Sequence, residues 1–182
     1  VSNKTSKFNL FNMNHSLQYT VASGSIGIPA DSLVALSVGA VAWNTPTTLE
    51  TYSSQGPTTD GRIKPDIVAP TGVSTVSYGT NAFPGTSSSA PHVSAAAALV
   101  KQANPTWTPA QIKSFLEGRA VDLGPAGKDN LFGSGRLNLG ALPALWITSA
   151  NVNTPMNQNK PGFSWAAAIG AAYYEVRIDN GP

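Results

Sequence analysis

The stretch "SSSAPHVSAAAALVKQA", residues 87–103, restricts the fold more than any other part of the chain. Read as a helix, it places alanines, Val93, Leu99 and Val100 on nearly every side and leaves no polar face wide enough to meet water. Such a helix belongs in the middle of a protein. It is expected to be the most buried helix of the chain and to reject a charge at Ala97. A second constraint is "LVALSVGAVAW", residues 33–43, a continuous apolar run of strand length and rich in Val. Runs of that kind are buried on both faces of a parallel sheet.

Turns organise the rest. From Lys7 to Val21 apolar residues recur with a period near two, interrupted by the turn "NMNH", which predicts a β-hairpin. "GSIGIPADS" reads as loop, and "SSQGPTTDGRIKPDIVAPTG" as turns enclosing a short strand at Ile67 and Val68. In "NPTWTPAQIKSFLEGRA", Thr108 caps a helix, Pro109 takes the first helical position and Gln111 completes a capping box. Ile112, Phe115 and Leu116 would form its buried stripe. "FGSGRLNLGALPAL" predicts a glycine-punctuated approach to a short helix closed by Pro143. Beyond Leu145 the texture changes. Tyr174, Val176 and Ile178 alternate with Glu175, Arg177 and Asp179 as in a half-buried antiparallel strand, and Asp179-Asn180-Gly181 signals a hairpin turn.

With 182 residues the chain can hold one domain, or one domain and part of another. Charged residues make up only 11%, against about 25% in typical soluble domains, so much of the polar surface is Ser, Thr, Asn and Gln. That composition suits a secreted protein. The net charge of +2 comes without a basic cluster that could neutralise a phosphate backbone, so nucleic acid is not an expected partner. The lack of cysteine excludes disulfides, thiolate catalysis and zinc-thiolate sites, and two histidines argue against a histidine-based metal cluster. The longest apolar run is too short to span a bilayer, so no membrane partner is expected, and the first ten residues hold no apolar signal core. The chain opens on Val1 without an initiator Met, and the expectation is that the true beginning, with any targeting signal, has been removed.

Chemistry concentrates in "FPGTSSSAPHV". A tight turn of Pro84 and Gly85 projects Ser87 from the start of a helix whose free N–H groups carry partial positive charge, a setting that favours a developing oxyanion. A serine at such a place can also simply cap the helix. A nucleophilic serine needs a base beside it. His92 lies five positions further on and points about 140° away. His15 sits in a polar turn.

"GTSSSAPHV" resembles the nucleophile motif of the subtilisin-like serine proteases, with Gly85, Thr86, Ser87, Pro91, His92 and Val93 in register. The resemblance continues through "PADSLVALSVGAV", "YSSQGPTTDGRIKPDIVAP", "NPTWTPAQIKSFL" and "GSGRLNL" in the family's order. It implies that Ser87 is the catalytic nucleophile, that its backbone N–H is one oxyanion donor, and that His92 is a helix residue rather than the base. Ser88 and Ser89 depart from the Met or Ala, then Ala, that the family more often has. The family's catalytic Asp, His and oxyanion Asn precede the serine in glycine-rich settings, and none of those settings occurs before Phe83. Asp31 and Asp66 fall in stretches that the family possesses without using them for catalysis.

The reading is an α/β fold, the C-terminal part of a subtilisin-like parallel-sheet domain. Residues 1–24 form a β-rich segment, part of an insertion; residues 25–144 form the peptidase part; residues 145–182 begin a fibronectin- or immunoglobulin-like β-sandwich module. The implied function is a secreted or cell-surface serine endopeptidase acting on peptides or proteins, inactive in this fragment until joined by the N-terminal part of its catalytic domain. No cofactor is evident in the chain, and the resemblance alone allows a structural calcium ion. Two other roles stay open: a catalytically silent scaffold, or a surface- or carbohydrate-binding module using Trp146, Phe163, Trp165, Tyr173 and Tyr174.

Overall fold

Where the sheet begins is decided by a side chain from the neighbouring loop. In a computed structural model, which describes residues 10, 11, 18–140, 147–150 and 163–165, the last two segments as strand backbone, the buried Asp66 carboxylate accepts the Ser37 N–H at 2.8 Å. Strand β1 (Val38–Ala42) follows at once and runs parallel to β2 (Ile67–Thr71), with Val38 opposite Ile67 and Ala42 opposite Thr71. The apolar run from residue 33 is therefore a strand only in its second half. Leu33 and Val34 are exposed, because the chain before Ser37 is held in turns by Asp31 N–H to Gly27 O and Ser32 N–H to Pro29 O.

Successive residues of β2 point to opposite faces of the sheet, and each face has its own core. Ile67 and Ala69 pack with Val93, Ala96 and Val100 of α1 (Thr86–Ala103) and with Leu116 of α2 (Pro109–Arg119). Val68 joins Val41 and Phe132 on the other side, flanked by Leu49, Leu123 and Leu131. Helices thus cover one face and the loop after α2 covers the other. That loop also lines the outer edge of β2, where Gly135 O accepts the Val68 N–H at 3.0 Å and Leu137 N–H donates to Val68 O at 2.8 Å.

Helix α2 starts as its sequence dictates. Thr108 accepts the Gln111 N–H, Gln111 returns a carboxamide oxygen to the Thr108 N–H at 2.8 Å, and Pro109 supplies the first helical position. Leu116 is fully buried, with Ile112 and Phe115 packed beside it. Helix α1 departs from expectation. Its buried face is Ser88, Ser89, Val93, Ala96 and Val100, while Pro91, Ser94, Ala95, Ala98 and Leu99 are exposed. Alanine presents the same small apolar surface on either side, so composition could not mark which side packs.

Strands β3 (Val73–Thr75) and β4 (Gly79–Phe83) form an antiparallel hairpin that the sequence reading did not anticipate. Its tip carries the fully exposed Val76, and Tyr78 stacks on Phe83 with ring centroids 4.5 Å apart. Strands β5 (Ile147–Ala150) and β6 (Phe163–Trp165) pair antiparallel, Ala150 opposite Phe163. The hairpin expected from Lys7 to Val21 lies mostly outside the described residues; those of it that are described, 10, 11 and 18–21, belong to no strand and are exposed. Residues 138–140 are not helical, and the rest of the short helix expected before Pro143 is outside the described residues, as are Tyr173 to Asp179.

Candidate active site

The turn into α1 is built on Gly85, whose φ of 89° and ψ of 163° are open to glycine and strained for any residue with a Cβ. Gly85 is itself the N-cap, and no side chain caps this helix. Ser87 is therefore not the cap. It occupies the second helical position, exposed, and among the described residues its hydroxyl has no hydrogen-bond partner. The first turn of α1 carries no acidic residue, so the positive end of the helix dipole is not neutralised by one. Ser88 N–H is taken by Gly85 O at 2.9 Å, while the N–H groups of Thr86 and Ser87 stay free among the described residues. Pro91 has no N–H to offer the Ser87 carbonyl.

The two neighbouring serines do different work. Ser89 is fully buried and donates to Pro70 O at 3.1 Å, which fastens the first turn of α1 to β2. Ser88 is buried too, with an unpartnered hydroxyl. His92 turns its Nδ1–H back to the Ser88 carbonyl at 2.8 Å. It sits one turn beyond Ser87 and does not serve that hydroxyl, as the helical geometry predicts. His15 is outside the described residues.

Gly85 is held by residues that no local pattern in the sequence signals. Its N–H donates to Tyr52 Oη at 3.2 Å, its carbonyl accepts the Thr71 hydroxyl at 3.0 Å, and Tyr52 and Thr71 meet at 3.1 Å. The three positions are 33, 14 and 19 residues apart in the chain.

At the other end of β2, Asp66 is 2% exposed and surrounded by ammonium groups: Lys64 at 2.5 Å, Lys113 at 2.8 Å and Lys128 at 3.2 Å. Burial alone would raise this carboxyl. Hydrogen bonds from Lys113, Lys64 and the Ser37 N–H outweigh it and hold the group well below the usual carboxylate range. Lys64 is as buried as its partner and also donates to Ala35 O at 2.8 Å. Asp66 is thus a structural anion away from Ser87, and Asp31 lies in a half-buried turn. Among the described residues no group of three or more His, Asp or Glu is placed to hold a metal ion, and the buried carboxylate is already neutralised by lysines.

The family model of the subtilase family, peptidase S8, matches residues 13–135. Alkaline elastase YaB of Bacillus sp. (strain YaB) is 40% identical over 119 residues, 64% of this chain and 29% of the relative. Subtilisin Savinase of Lederbergia lenta is 41% identical over 120 residues, 64% of this chain and 40% of the relative. Among solved structures, the CspB protease of Clostridium perfringens superposes with a TM-score of 0.56 at 26% identity, covering 66% of this chain and 28% of that protein. The chain therefore spans well under half the length of the relatives it matches. By the extent of the family match and the order of its motifs, the chain belongs to the subtilase family of serine peptidases.

Proposed function

We propose that this chain is the nucleophile-bearing part of a secreted subtilisin-like serine endopeptidase. The carrying observation is the exposed, unpartnered Ser87 hydroxyl at the positive end of α1, on a turn that does not need it as a cap. In the reaction, Ser87 Oγ attacks a peptide carbonyl carbon and passes its proton to a base. The Ser87 N–H donates to the developing oxyanion, and the amine leaves with the proton from the base. Water then attacks the acyl-serine ester and restores the hydroxyl.

No described side chain serves as that base, so it comes, with its orienting Asp and the second oxyanion donor, from a part of the protein outside these residues. The apolar outer face of α1, Ala95, Ala98 and Leu99, supports this reading as a surface for that part to cover. Residues 25–144 are the peptidase part, residues 1–24 belong to an insertion, and residues 145–182 open an appended β-module. Peptides or proteins are the substrates. The sparse charge of the chain supports secretion.

A fluorophosphonate probe tests this, since it labels only an activated serine. Expected are labelling of the whole protein at Ser87, none in Ser87→Ala, and labelling of the 182-residue chain slower by at least about 10²–10⁴-fold, the share of a general base. Rapid labelling of the short chain would place the base within it. A whole protein that resists the probe would be a silent scaffold.

A further inference from the structure

We propose that Tyr52 and Thr71 form a hydroxyl clamp that positions Ser87 by fixing the Gly85 peptide, an inference that rests on Ser87 being the nucleophile. The proton count sets the direction of every bond in the clamp. Thr71 has one hydroxyl proton, and it is spent on Gly85 O. Tyr52 must therefore donate to Thr71 Oγ1, which leaves the Tyr52 lone pairs to accept the Gly85 N–H. The ring closes with each hydroxyl donating once, so no alternative orientation satisfies all three contacts.

Both arms are tied to the sheet. Thr71 ends β2, is 1% exposed, and its carbonyl accepts the Trp43 N–H at 3.1 Å. Tyr52 precedes Ser53, a buried residue whose hydroxyl accepts the Ala40 N–H of β1 at 3.0 Å. The same Gly85 carbonyl that takes the Thr71 proton also accepts the Ser88 N–H. Holding that one oxygen therefore sets the first turn of α1 relative to β1 and β2.

A glycine at this position is the softest joint the backbone can have. Only Thr86 separates it from Ser87, and a Cβ built on Gly85 would lie 3.6 Å from Ser87 N and 4.0 Å from its Oγ. Rotation of the Gly85 peptide would therefore reach both the attacking oxygen and the oxyanion donor. On the far side Ser89 ties the turn to Pro70 O, but Pro91 leaves the Ser87 carbonyl without its helical partner, so the peptide before Ser87 depends on the contacts to Gly85. The clamp supplies the rigidity that glycine withdraws, and Tyr52 and Thr71 are positioning residues.

The test uses the whole protein. Tyr52→Phe keeps the half-exposed ring and deletes only the hydroxyl. It and Thr71→Val should each lower kcat about tenfold with KM within about a factor of two, while Thr71→Ser keeps kcat. Amide hydrogen exchange at Gly85 should quicken about tenfold in Tyr52→Phe, a readout independent of turnover. Unchanged kcat in Tyr52→Phe, a rise in KM alone, or unchanged Gly85 exchange overturns the clamp. Ser87→Ala, assayed in parallel, separates the two claims. If it turns over substrate like the wild type, the nucleophile reading falls, and the Gly85 exchange still decides whether Tyr52 holds that peptide.

Discussion

Asp66 shows how one side chain can carry both order and pH dependence. Its carboxylate holds the start of β1 through Ser37 and meets three lysines, of which Lys64 is 4% exposed. Because its folded pKa lies below that of the unfolded chain, the stabilisation is complete above the unfolded value near 4. It is lost as pH falls from there through the folded value. Stability followed by urea titration should therefore decline from about pH 4 downward. Asp66→Asn should lose about 3–5 kcal/mol at neutral pH, since it strands a buried ammonium, and should flatten the acid limb. An acid limb identical to wild type would show that other carboxylates set it. None of this was legible in "KPDIV", since Lys113 and Lys128 join from 47 and 62 positions away. The exposed place of Ser87 in the first turn of α1 was legible because its setting is local: turn, serine and helix lie within a few residues.

Elements divide along the same line. The start of α2 could be read to the residue because a capping box closes within four positions. The extent of β1 could not, since apolar residues 33–36 look no different from the strand until Asp66 catches Ser37. Helix α1 was placed correctly along the chain but not around its axis. The face that packs is marked by Ser89, Val93, Ala96 and Val100, at helical spacing, and alanines on the opposite side hide that contrast. Ala96 is 3% exposed against Ile67 and Ala69. Ala96→Lys would bury a charge with no counter-ion, and should cost more than about 4 kcal/mol. An unchanged melting temperature in that variant would show that α1 is not seated on the sheet by this face. Ala97, partly buried against the same core, was a near neighbour of the more sensitive position.

For the molecule as a whole, the parallel pairing of β1 with β2 and the helices on one face match the α/β expectation. The cluster of Asp66 with Lys64, Lys113 and Lys128 was not readable, because it joins residues far apart in sequence. The Lys64 amine lends itself to a chemical measure of whole-chain opening. It is sealed behind Asp66 and the Ala35 carbonyl, whereas Lys101 stands at the exposed end of α1. An amine-acylating reagent should modify the exposed Lys101 early, yet reach Lys64 only when the β1–β2 sheet separates. Mass spectrometry of timed samples would then clock that separation, and adding urea should accelerate acylation at Lys64 far more than at Lys101. Equal rates at the two amines would mean that Lys64 is reached without opening the sheet.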